Sequence, residues 1–113
     1  MSDANSLTER LEGMLAGGTD NALLRFSLGQ AYLNDDRPDL AAMHLHEAVG
    51  HDPTYSAAWK LLGRALTAAG QDAEAMRAFE QGIAIAQDKG DRQAAKEMEV
   101  FLRRLNKSSG TPG

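Results

Sequence analysis

Sliding the 113-residue sequence along itself by 34 positions brings like residues together. Leu28-Gly29 falls on Leu62-Gly63, Ala31 on Ala65, Ala41 on Ala75, Leu45 on Phe79 and Val49 on Ile83. A chain that repeats itself at this interval is built from stacked helix-turn-helix units, each too small to bury its apolar face alone. Carried backwards, the same shift sets Leu7, Leu11 and Leu15 under Ala41, Leu45 and Val49, so the first helix is in phase with the second helix of each later pair.

Between the repeats the apolar residues recur at three and four, and no segment shows the β-branched alternation of a strand. The predicted fold is all-α, with about six helices. Breakers divide the chain at Gly17-Gly18, Asp35-Asp36-Arg37-Pro38, His51-Asp52-Pro53, Gly70 and Gly90. Helix starts follow from the local chemistry: a capping box at Ser6-Leu7-Thr8-Glu9, caps at Asp20 and Asp91, and Pro38 and Pro53 at first helical turns, where a missing N–H costs nothing. Residues 1–5 are expected to be loose, 6–107 to form a single domain and 108–113 to be a disordered tail.

Composition narrows the function. Zero cysteines exclude disulfides, thiolate zinc sites and a cysteine nucleophile. The 16 acidic residues outnumber the 12 basic ones, giving a net charge of −4. Nucleic acids and anionic membranes need concentrated Lys/Arg, so neither is an expected partner. No apolar stretch approaches a membrane span or a secretory leader, and a cytoplasmic protein is expected.

The aligned residues resemble the tetratricopeptide repeat family, whose signature asks for a large apolar residue, Leu-Gly and an aromatic on the first helix, then Ala, an aromatic, Ala and a closing Pro. Residues 22–55 supply Arg25, Leu28, Gly29, Tyr32, Ala41, Leu45, Ala48 and Pro53; residues 56–89 supply Trp59, Leu62, Gly63, Leu66, Ala75, Phe79, Gly82 and Gln87. Arg25 and Gln87 are the clear departures. Gly inside a helix costs about 1 kcal/mol against Ala, so Gly29 and Gly63 at one phase call for close approach of the paired helix. Ala41 and Ala75 are the expected small surface opposite them, with Tyr32, Trp59, Leu66, Leu45 and Phe79 filling the space between units. Residues 6–16 close the front as a lone helix of the second type. Residues 91–107 close the back as a capping helix in shifted register, with a stripe at Ala94, Met98, Phe101, Leu102 and Leu105.

The resemblance implies a right-handed α-α superhelix and a non-enzymatic module that binds a peptide or a partner protein in a concave groove. Its groove positions carry over to Phe26, Gln30, Leu33 and Asn34 in the first repeat, and to Lys60, Arg64, Thr67 and Ala68 in the second. Lys60 and Arg64 are four apart and share a helix face, where they can hold a carboxylate. Phe26 and Leu33 either supply an adjoining apolar pocket or pack under the first helix. A homodimer through the inner face or a terminal helix is the alternative.

No cofactor or metal is expected. His44 and His46 point some 200° apart on a helix and cannot chelate one ion; a surface or groove-edge role is expected for them. His51 beside Asp52 lacks a nucleophile at interpretable spacing. Gly17-Gly18-Thr19 lacks the Lys of a phosphate loop and reads as a helix terminator. Asp35-Asp36 reads as a solvated turn, and most of Met14, Met43, Met76 and Met98 as core filler.

Overall fold

The computed structural model describes residues 3–108, with side chains from Leu7 onward. Among them are six helices and no strand: α1 (Asp3–Ala16), α2 (Ala22–Asn34), α3 (Pro38–His51), α4 (Ser56–Ala68), α5 (Asp72–Lys89) and α6 (Arg92–Ser108). α2 and α4 begin 34 residues apart, as do α3 and α5, so the self-alignment marks the two hairpins α2-α3 and α4-α5. Most of the tail read at 108–113, and the first two residues, lie outside the described part.

Some helix starts differ from the sequence reading. α1 begins at Asp3, upstream of the Ser6–Glu9 box. Asn21 rather than Asp20 caps α2, its side chain accepting the Leu24 N–H at 2.8 Å. Asp20 is drawn away by Arg25, which donates to it at 2.8 and 3.0 Å. Pro38 does open α3, but α4 begins three residues beyond Pro53, after a turn in which Asp52 accepts from the Thr54 N–H and hydroxyl. Asp91 caps α6 through the Ala94 N–H. Gly90 ends α5 at φ +79°, a left-handed conformation that suits a residue without Cβ.

At both helical glycines the paired helix does approach closely, but with a large side chain and not with the expected small surface. A Cβ on Gly29 would lie 2.7 Å from Leu45 Cδ2, and one on Gly63 would lie 2.5 Å from Phe79 Cε1. Each glycine is thus a notch that receives the large side chain of its own paired helix. Leu45 and Phe79 therefore close their hairpins, where the sequence reading placed them between units. Ala41 and Ala75 are fully buried beside them. Gly82 makes a third notch, in which Met98 Sδ of α6 would lie 2.5 Å from an added Cβ and Trp59 Cβ 2.8 Å from it.

α6 buries Ala95, Met98 and Leu105 against α5 and α4, and Phe101 stacks on Phe79 at 5.4 Å. Of the four methionines read as filler, Met98 is fully buried and Met76 packs at the core, but Met14 and Met43 are about half exposed at 50% and 51%. The stack extends 48 × 30 × 19 Å, an elongated slab in which each helix meets its sequence neighbours.

Candidate functional site

The first helices of the hairpins, α2 and α4, touch each other, and α4 touches α6, so these three helices share one face. All the residues carried over from the repeat signature stand on α2 or α4. Gln30, Asn34, Arg64 and Thr67 are exposed, whereas Phe26, Leu33 and Lys60 are partly buried. Thr67 turns its hydroxyl back to the Gly63 carbonyl at 2.8 Å, within its own helix.

Phe26 stacks on Tyr55, centroids 5.0 Å apart, at the junction between the hairpins, and Leu33 packs against the core. Phe26 therefore ties α2 to the turn that leads into α4.

The Lys60/Arg64 pair is also reorganised, because α6 brings residues that no repeat position forecasts. Lys60 Nζ donates to Glu97 Oε1 at 2.6 Å, and Gln93 donates to the other oxygen at 3.0 Å. These donors hold the Glu97 carboxyl below its ordinary range, the Lys60 hydrogen bond having the greater effect. Arg64 stays exposed with its guanidinium 5.7 Å from the Phe101 ring centroid, and Arg104 lies over the same ring at 5.8 Å. Among the described residues neither arginine has a carboxylate within ion-pair distance. The cationic feature of this face is thus Arg64 with Arg104 on Phe101, and Lys60 is already neutralised.

A second polar constellation joins α1, α2 and α3. His44, expected at the surface or a groove edge, is 2% exposed. Its ring lies parallel to Tyr32 at 5.4 Å, and Arg25 Nη1 is 3.1 Å from its Nδ1. Arginine can only donate, so Nδ1 accepts and the proton sits on Nε2, which faces Glu12 at 3.7 Å. Burial pushes the His44 pKa down, opposed by Glu12. Glu12 also accepts the Tyr32 hydroxyl, which raises that phenol to about 12. Asp20 serves both Arg25 and His51, the latter at 3.0 Å, and the Arg25 hydrogen bonds are the main reason its pKa falls to about 2. His51 thus pairs with Asp20 and not with neighbouring Asp52.

These side chains fasten the front of the stack; a ligand role is not needed to account for them. Among the described residues no group of three or more His, Asp or Glu could hold a metal, and no helix is long and apolar enough to cross a membrane. One signal for the cluster was available in the sequence: Arg25 occupies the position of Trp59, and a cation at a half-buried apolar site needs a carboxylate.

A cleft of 360 Å³ that the repeat signature does not indicate opens between α3 and α5. Trp59, Leu62 and Leu66 of α4 form its floor, and His46 and Arg77 stand at its edge. None of the carried-over groove positions lines it.

The sequence profile described as tetratricopeptide repeat matches residues 35–98. The TPR repeat-containing protein PA0015 of Pseudomonas aeruginosa is 56% identical over 102 residues, covering 90% of this chain and 97% of that protein. The solution structure of protein BPP2914 from Bordetella parapertussis superposes with a TM-score of 0.78 at 54% identity, over 90% of this chain and 89% of that one. The crystal structure of MamA superposes at 0.70 with 21% identity, over 95% and 71% of the two chains, which speaks to the fold alone. Proteins with this fold are in general non-catalytic modules for protein–protein interaction. With the 34-residue period, the glycine notches and these likenesses together, the chain belongs to the tetratricopeptide repeat family.

Proposed function

We propose that this protein is a non-enzymatic scaffold that holds a segment of a partner protein on the face formed by α2, α4 and α6. The observation that carries this reading is the row of exposed side chains at matched phases on the two first helices, three of the four polar. Gln30 and Asn34 on α2 correspond to Arg64 and Ala68 on α4, all standing clear of the core. Such a row can hydrogen-bond an extended or helical segment along its length, while the half-buried Phe26 and Leu33 keep the floor rigid. Arg64 and Arg104 anchor an acidic group of that segment, because a guanidinium offers forked donors and neither is already paired within the described chain.

Self-association through the same face or through α6 has less support. Phe26 and Leu33 are used by the protein's own packing, and α6 turns charges of both signs outward, Arg92, Lys96, Glu99 and Arg103, with Val100 the one large apolar residue exposed among them.

The test is cross-linking followed by mass spectrometry in native lysate, comparing wild type with an Arg64→Glu/Arg104→Glu variant that retains the wild-type melting temperature. A protein cross-linked to α2 or α4 in the wild type and lost in the variant is the expected result. Identical cross-linked sets, or cross-links mapping only to α3 and α5, overturn the reading.

A further inference from the structure

Two junctions of the stack occupy equivalent places in the repeat, and a ring closes one of them. At the front, between α1 and α3, the buried His44 ring meets three side chains: Tyr32, parallel to it at 5.4 Å, Arg25, whose Nη1 is 3.1 Å from Nδ1, and Glu12, 3.7 Å from Nε2. Moving each position by 34 residues gives Ala78 for His44, Leu66 for Tyr32, Trp59 for Arg25 and His46 for Glu12. All four of these residues line the 360 Å³ cleft between α3 and α5. The cleft is thus the counterpart of the His44 site, left open because Ala78 ends at Cβ.

The filled junction and the lining together describe an occupant. Trp59 and Leu66 in place of Arg25 and Tyr32 make the floor apolar, so the body that rests on it is an apolar ring. About 150 Å³ of apolar cavity accepts a benzene ring, so one ring fits, with space left for its attachment. The rim is polar and carries no net charge: Glu74 and Arg77 line it with His46 and Gln81. Among the described residues none of these four side chains has a hydrogen-bond or ion-pair partner. Arginine can only donate and an ionised carboxylate can only accept. A hydroxyl on the ring suits both, whereas a carboxylate would be opposed by Glu74 and an ammonium by Arg77.

We propose that the α3-α5 cleft receives one tyrosine side chain of a partner protein, with its ring on Trp59 and Leu66 beside Ala78 and its hydroxyl among His46, Glu74 and Arg77. A second copy of this chain is poorly equipped to supply it. Both of its tyrosines are engaged, Tyr32 with Glu12 and His44, and Tyr55 in its stack on Phe26. No residue of α2 or α6 lines the cleft, so this site and the proposed α2-α4-α6 face stand or fall separately.

The probe is N-acetyl-tyrosinamide, titrated into the whole protein and followed by amide chemical shifts. Saturable shifts centred on His46, Trp59, Arg77 and Ala78 are expected, with N-acetyl-phenylalaninamide at least about three-fold weaker for want of the hydroxyl. Ala78→His, which places the front junction's ring in the cleft, should abolish saturation. Glu74→Ala/Arg77→Ala, at two exposed positions, should leave the circular dichroism unchanged and erase the preference for tyrosine; it decides the matter if Ala78→His does not fold. A Gln30→Ala/Arg64→Ala protein should bind as wild type does. No saturation by about 20 mM, equal affinity for the two blocked residues, or shifts centred on α2 and α6 would each overturn the proposal. Tighter binding of p-cresol than of the blocked tyrosine would also overturn it, by making the cleft a site for free phenols. So would a wild-type dimer in sedimentation equilibrium that Ala78→His makes monomeric, since the occupant would then be a second copy.

Discussion

The two ends of this stack meet the same difficulty by opposite means. At the back, α6 buries Met98 in the Gly82 notch, lays Phe101 on Phe79, and presents Arg92, Lys96, Arg103 and Lys107 outward. At the front, α1 keeps the phase of the repeat but leaves Leu7 and Met14 about half exposed. Its attachment leans on polar groups, Glu12 to Tyr32 and His44, more than on buried apolar area. Keeping the repeat's pattern therefore does not make a helix a cap. An end is closed when its outward face is made compatible with water, which α6 achieves by leaving the repeat's register.

Substitution at one phase in three helices tests that contrast most directly. Phe79→Ala should cost about 3–5 kcal/mol and Leu45→Ala about 2–5 kcal/mol, because both empty a glycine notch in a closed hairpin. Leu11→Ala, at the same phase on α1, should cost only about 1 kcal/mol, as a partly exposed side chain leaves little cavity. Urea denaturation gives all three values, and equal losses would erase the distinction between the ends. Met98→Ala comes next, at about 2–4 kcal/mol, since it unseats α6 from Gly82. A much smaller loss would mean that α6 is held by its rim rather than its core.

Acid should weaken the front before the back. Burial lowers the folded pKa of His44 below its ordinary 6.5, so its neutral form contributes stability that is complete above that value and is lost as pH falls toward the folded pKa. Protonation would set an N–H on Nδ1 against the Arg25 guanidinium, with Glu12, Asp20 and Glu47 as the compensating charges nearby. The melting temperature should drop as pH falls below 6.5 in the wild type, and less steeply in His44→Gln. Equal slopes would separate the histidine from the acid response. The smallest effect belongs to the back: Lys60→Met should change stability by less than about 1 kcal/mol, because the Glu97 pair is substantially exposed.

Particular residues show why some of this was legible in the sequence and some was not. Gly29 and Gly63 revealed the period and the hairpins, because helix-interior glycine at equal phase has few other uses. What fills the notches was misplaced: apolar identity says that Leu45 is buried, and only the crossing of α2 over α3 says against what. His44 stands in the position of Ala78, and the room and partners for its larger ring come from three different helices, a coincidence no spacing encodes. Arg25 in the tryptophan position was the one available hint. Lys60 and Arg64 both turn toward α6, but their partners there, Glu97, Phe101 and Arg104, lie on the helix that breaks the repeat, where a shift by 34 no longer assigns neighbours.

Trp59 gives the molecule a built-in optical gauge. It is the sole tryptophan; its indole N–H donates to the Pro53 carbonyl at 2.8 Å and its Cβ rests against Gly82, so its emission samples the junction of α4 with α5 and the turn before them. Tyr32, hydrogen-bonded to Glu12 and stacked on His44, samples the junction of α1 with the first hairpin. A single unfolding experiment read at Trp59 and, with the second tyrosine removed by Tyr55→Phe, at Tyr32 therefore measures how far the stack behaves as one cooperative body. Coincident curves mean that the two hairpins melt as a unit, and a tyrosine change that precedes the tryptophan change means that the protein comes apart one layer at a time, from α1 inward.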